Sequence, residues 1–135
     1  MRKARLLLPW VAVLFIAAAM VGCGSTPSSY LQSVAISPSA ASGSVQFVAT
    51  GTRINGSKVS PVSAIWWNSQ PWTTNPTTAP AFTVDENGNA VCMSNPVIGG
   101  TFPVWATAPV NPNTAASQMG SMTPQVVGTA TITCP

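Results

Sequence analysis

The chain has no histidine and very little charge, with Asp+Glu at 2 and Lys+Arg at 5 in 135 residues. Without an imidazole, no Ser-His-Asp triad, Cys-His pair or histidine-containing zinc or iron site can be built. The two carboxylates, Asp85 and Glu86, are sequence neighbours. Adjacent side chains diverge in a strand or turn, so this pair cannot flank a glycosidic bond as acid and nucleophile. Lys58 is the single lysine after the first few residues and lies in Gly56-Ser57-Lys58, the setting of a solvated turn lysine rather than of a base for a serine nucleophile. These absences predict a protein that is not an enzyme and carries no cofactor. The charged fraction of 5% compares with about 25% in an average soluble domain. Ser, Thr, Asn, Gly and Pro take the place of charge at the surface. The net charge of +3 is misleading, since Arg2, Lys3 and Arg5 crowd the first residues and only Arg53 and Lys58 remain to balance Asp85 and Glu86. A neutral body with two scattered cations offers nothing to a phosphate backbone, which excludes nucleic acid as a partner.

The first residues have a character of their own. A cationic start is followed by an uncharged apolar run, Leu6 to Val21, with small residues leading to Cys23. This is the pattern of an export signal, and the run is short for a transmembrane helix, which needs about 20 apolar residues. Met20-Val21-Gly22-Cys23 resembles the lipobox of bacterial lipoproteins, in which a peptidase cuts before the cysteine and the thiol carries lipid. That resemblance implies a signal peptide at 1–22, a lipidated Cys23 and a flexible tether to residue 29. Met20 departs from the usual leucine, and the alternatives are a signal peptide cut after Ala19 and an uncleaved anchor. Gly24 lacks the aspartate that retains some lipoproteins at the inner membrane, so the expected location is the cell envelope, at the outer membrane or cell surface, with the membrane as the first partner. Once Cys23 is assigned to lipid, Cys92 and Cys134 are left to form a disulfide in an oxidising compartment; two buried thiols are the alternative.

From residue 30 to 135 helical signals are nearly absent, because the 13 prolines and 10 glycines of the chain interrupt the long windows. Alternation replaces them. Val34 and Ile36 share a face, as do Val45, Phe47 and Ala49. Ala64 to Asn68 is a third strand, in which Trp66 and Trp67 take opposite faces. Phe82 and Val84 lead into Asp85-Glu86-Asn87-Gly88-Asn89, where Asn-Gly predicts the positive φ angles of a tight hairpin turn returning through Ala90-Val91-Cys92. Phe102 to Ala108 alternates although Pro103 argues for an edge or bulged position. Val126 to Cys134 ends the chain with Ala130, Ile132 and Cys134 facing inward. About seven short strands predict an all-β antiparallel sandwich. Two connections are long, 69–80 and 109–124, and long loops carry function or disorder.

In this order, LQSVAISPSAA, VQFVATGT, the Trp66 strand, FTVDENGNAVC, GTFPVWATA and VGTATITCP resemble the bacterial Ig-like group 2 module, over residues 31–135. The resemblance implies an Ig-like β-sandwich with Trp66 in its core. It carries no catalytic motif; such modules serve as spacers, adhesin parts or carbohydrate-associated units. Trp67, the Pro-rich stretch around Trp72 and the long final loop depart from the pattern.

Asp85, Asn87 and Asn89 alternate like the first ligands of an EF-hand loop, but Ala90 stands where glycine is required and Pro96 where the bidentate glutamate belongs, so a hairpin turn explains them and no metal is expected. Gly99-Gly100 precedes a strand and forms no nucleotide loop. The remaining binding candidates are Trp67, Trp72 and Trp105, at outward or loop positions from which flat rings stack on sugars or anchor a protein. The alternative is that they, with Met119 and Met122 nearby, cap the ends of a small core. The expected function is a non-catalytic, lipid-anchored envelope or surface module with a structural, adhesion or protein-interaction role; a carbohydrate or cell-wall binding module is the second expectation, which gives an envelope protein or a polysaccharide as partner.

Overall fold

The computed structural model describes residues 27–69 and 79–135. The strands are β1 (Leu31–Ser37), β2 (Ala40–Ser42), β3 (Ser44–Gln46), β4 (Val48–Arg53), β5 (Lys58–Val59), β6 (Ile65–Trp67), β7 (Phe82–Val84), β8 (Asn89–Cys92), β9 (Gly100–Pro109) and β10 (Gln125–Cys134). They pair in three sheets, β1-β4-β5, β3-β8-β7 and β2-β10-β9-β6. Only Phe47 separates β3 from β4, and its N–H donates to Gly88 O at 2.8 Å, so the two three-stranded sheets continue into one another through a single run of chain. This joined layer packs against the four-stranded sheet in an all-β, sandwich-like fold.

The alternation read from the sequence sorts the two faces. Leu31, Val34 and Ile36 of β1, Ala49 of β4, Phe82, Ala90, Val104, Ala106, Ala108, Ala130 and Ile132 are buried in one core around Phe47. Small side chains on β9 and β10 let the layers come close. At Gly128 a Cβ would lie 2.8 Å from Val34 O, closer than a side chain tolerates, so β1 crosses β10 where the latter has no side chain.

The expected antiparallel arrangement has one exception. β2 runs parallel to β10, with Ala41 opposite Ile132. The chain leaves β1 and passes to the other layer without reversing direction, so the segment that meets β10 keeps the direction of β1. Pro103 takes the expected edge position, but only locally. β9 is an interior strand between β10 and β6. β6 pairs only with Trp105, Ala106 and Thr107, however, so Pro103 lies beyond the reach of β6 and its missing N–H costs no ladder bond on that side.

Cys92 and Cys134 form a disulfide with Cα atoms 5.6 Å apart, joining β8 in one layer to β10 in the other. Cys134 is buried. Closing a sequence separation of 42 contributes about 4 kcal/mol in the chain-entropy description. The connection after β9 is tied down by hydrogen bonds: Val110 N–H donates to Pro124 O, Asn111 caps its own turn, and Ala116 N–H donates to Ser63 Oγ at 2.9 Å at the start of a 3-10 turn, Ala116–Gln118.

Candidate functional site

The candidate tryptophans are brought together in part. Trp67 of β6 and Trp105 of β9 are direct cross-strand partners, and strand alternation puts both on the side of the four-stranded sheet opposite the buried Val104 and Ala106. Each is half-buried rather than fully outward. Trp67 Nε1 donates to Thr107 Oγ1 at 3.1 Å, and Thr107 is buried. The pair therefore makes a semi-exposed aromatic face whose orientation is fixed by a hydrogen bond. Trp72 and Cys23 lie outside the described residues.

Trp66, on the inward side of β6, packs against the core and stacks on Phe47 with ring centroids 6.4 Å apart and planes at 27°. It is not sealed in. Two adjoining hollows of about 590 and 540 Å³ share Ser63, Ala64, Trp66, Glu86 and Asn87. The hollow between the 61–64 crossover and the β7–β8 turn exists because β5 pairs only with Gly51 and Thr52, while β3 takes β8 only as far as Gln46. Phe47, Val48 and Ala49 are left to line the gap.

The turn that walls this groove departs from the expected geometry. Gly88 has φ 83°, but no residue other than glycine has positive φ among those described, so Asn87 does not form a turn with two left-handed residues. Gly88 N–H donates to Asp85 O and Asp85 N–H to Asn89 O, which is a turn of ordinary hand closed by one left-handed glycine. The Asp85 carboxylate selects it by accepting from Asn87 N–H at 2.9 Å, Asn89 N–H at 2.9 Å and Asn89 Nδ2 at 2.8 Å. These bonds, the Asn89 side-chain amide foremost and then the backbone N–H groups, hold Asp85 below its ordinary value of 3.8. Its oxygens are thereby occupied with the turn. Gln46 Nε2 donates to Asn87 O at 2.6 Å and fixes the turn to β3.

No known protein-family model matches this chain, and no curated protein matches it. The chemistry therefore has to be judged from the residues themselves. Among those described, no group of three or more Cys, Asp or Glu side chains is placed to hold a metal ion. Trp66 borders this open groove beside the amide of Asn87 and the carboxylate of Glu86, so the groove offers one aromatic edge and two polar groups. The groove was not legible in the sequence, where Trp66 reads only as core; the sole hint was the Asn-Gly turn, because a glycine at 88 is what lets the backbone approach the indole.

Proposed function

We propose that this chain is a lipid-anchored, non-catalytic envelope module of the Ig-like type, held at the membrane through Cys23 and presenting its surface to a protein partner. The strand order carries the proposal. Treating β3 and β4 as one run gives β1, β3/β4, β8, β7 in one layer and β2, β10, β9, β6 in the other, with β2 parallel to the last strand. With the two-residue β5 set aside, that order supports the Ig-like reading, since such a sandwich places the first, second, fifth and fourth strands in one layer and the third, sixth and seventh in the other. The Cys92–Cys134 disulfide supports export, since such bonds persist in oxidising compartments. The engagement of Asp85 by its own turn supports a role without catalysis. Mass analysis of the chain recovered from membranes tests the anchor: a chain starting at Cys23 with added lipid is expected, and an unmodified Cys23 would sink it.

Carbohydrate binding is the second reading, favoured by the cross-strand Trp67–Trp105 pair on one face. Intrinsic fluorescence titrated with peptidoglycan fragments and soluble polysaccharides decides between the two. A saturable shift lost in Trp67→Ala or Trp72→Ala would make the module a glycan binder. A flat response from folded protein leaves the protein-partner role.

A further inference from the structure

The two cations beyond the first residues, Arg53 and Lys58, bracket the β4–β5 turn. That turn is bonded to the start of the described chain: Ile54 N–H donates to Tyr30 O at 2.9 Å and Asn55 N–H to Ser28 O at 3.2 Å. Leu31 N–H donates in turn to Val110 O at 2.7 Å, and Val110 N–H to Pro124 O at 2.9 Å. The 110–124 connection thus begins and ends beside the same strand terminus. Met122, two residues before Pro124, is 95% exposed, and Ile54 is 45% exposed. One end of the domain therefore collects both cations and two exposed apolar side chains, and it is the end at which residue 27 enters.

The carboxylates are elsewhere. Asp85 and Glu86 sit level with Phe47, which pairs through its N–H with Gly88. From Phe47 to Arg53 along the strand is about 20 Å at a rise of about 3.3 Å per residue. Charge on this nearly uncharged surface is thus separated by sign along the β3–β4 run.

We propose that the Arg53–Lys58 end is a membrane-facing base that seats on anionic lipid headgroups, an inference that rests on the lipid-anchor reading. The stretch from Cys23 to Pro27 spans at most about 14 Å, whereas β10 alone, with 10 residues, is about 33 Å long. A domain held at Cys23 therefore meets the bilayer with this end. An anionic surface attracts Arg53 and Lys58 and repels Asp85 and Glu86, so the same charge separation that anchors the base turns the groove beside Trp66 away from the membrane. Ile54 and Met122 add apolar contact at the headgroup boundary.

The test couples the chain from Cys23 onward, disulfide intact, through the Cys23 thiol to a maleimide lipid in phosphatidylcholine vesicles with or without about 30% phosphatidylglycerol. Hydrogen–deuterium exchange is then followed over residues 53–58 and 119–124. Protection at both segments is expected to rise about 25-fold on the anionic vesicles, about fivefold for each cation. It should vanish in Arg53→Gln/Lys58→Gln and at about 0.5 M salt, where screening is nearly complete beyond a few ångströms. Equal exchange on both vesicle types would overturn the proposal, as would protection centred on 85–88 instead. Protection of the base on pure phosphatidylcholine that rises with protein density would also overturn it, in favour of contact between copies. The anchor reading fails separately: an unmodified Cys23 in the membrane-derived chain removes the natural tether, while the coupled vesicles still report on the base.

Discussion

Gly56 and Gly88 share a φ of 83° and the same turn hydrogen bonds, Gly56 N–H to Arg53 O and Gly88 N–H to Asp85 O, but have opposite surroundings. A Cβ built at Gly56 meets nothing within 4 Å, whereas one at Gly88 meets Phe47 O and lies 2.9 Å from Trp66 Cζ2. Alanine at either site incurs the left-handed penalty of about 1–2 kcal/mol, offset by about 0.4–1 kcal/mol from the less flexible unfolded chain. Gly56→Ala should therefore cost about 1 kcal/mol. Gly88→Ala adds overpacking against a backbone carbonyl and an indole held by Phe47, about 1–3 kcal/mol more, for a total near 3 kcal/mol. Urea unfolding followed by tryptophan emission gives both values, and the difference of about 2 kcal/mol corresponds to a melting temperature lower by about 10 °C in a domain of this size. The difference isolates packing from backbone strain because the strain is common to both. Equal losses in the two variants would refute the placement of Gly88 against the Phe47–Trp66 stack.

Cys92→Ala/Cys134→Ala is expected to lose about 4 kcal/mol in denaturant, and reduction of the unmutated chain should reproduce that loss; unchanged midpoints would remove the disulfide from the account. Trp66→Ala should cost about 2–4 kcal/mol, somewhat less than a wholly buried aromatic because the ring borders the groove, while Trp67→Ala should stay near 1–2 kcal/mol for a half-buried side chain with one hydrogen bond. Thermal melts of the two variants check this order, and a reversal would mean that the faces of β6 are exchanged. Asp85 is depressed, so its stabilising effect is fully present above 3.8, its ordinary value, and is lost as pH falls through its lower folded value. The stability difference between the unmutated chain and Asp85→Ala should accordingly shrink below that pH, and a difference that grows on acidification would contradict the turn geometry.

Burial alternation was legible because it needs only local information. Val34 with Ile36, Phe47 with Ala49, and Ala130, Ile132 and Cys134 all take the faces their period-two pattern implies. β2 and β5 were not foreseen, since Ala40–Ser42 has no apolar alternation and Lys58–Val59 is two residues long. Both exist because of what lies beside them, β10 and β4, and partners distant in sequence leave no local trace. The hairpin was placed correctly but its turn type was not. Asn-Gly favours two left-handed residues in isolation, and the Asp85 carboxylate overrides that preference by gathering N–H groups that only the other turn presents to it.

The groove shows the same limit from the side of function. Its lining comes from Trp66, Val48, Pro61 and Asn87, which are remote in sequence and meet where β5 and β8 each cover only part of the edge of the β3–β4 run that faces away from β1. A sequence pattern marks Trp66 as apolar and therefore as core; it carries no sign that a groove opens beside it. With four charged side chains after the first residues, electrostatics reduces to two pairs, and their meaning also depends on topology. Arg53 and Lys58 are unremarkable as a turn in the sequence. They acquire a direction once the hydrogen bonds to Ser28 and Tyr30 place them at the end where the chain enters. Under the proposed seating on Arg53 and Lys58 both the groove and the Trp67–Trp105 face would stay accessible, so Gly88→Ala separates them: it should disturb binding at the groove while sparing the aromatic face.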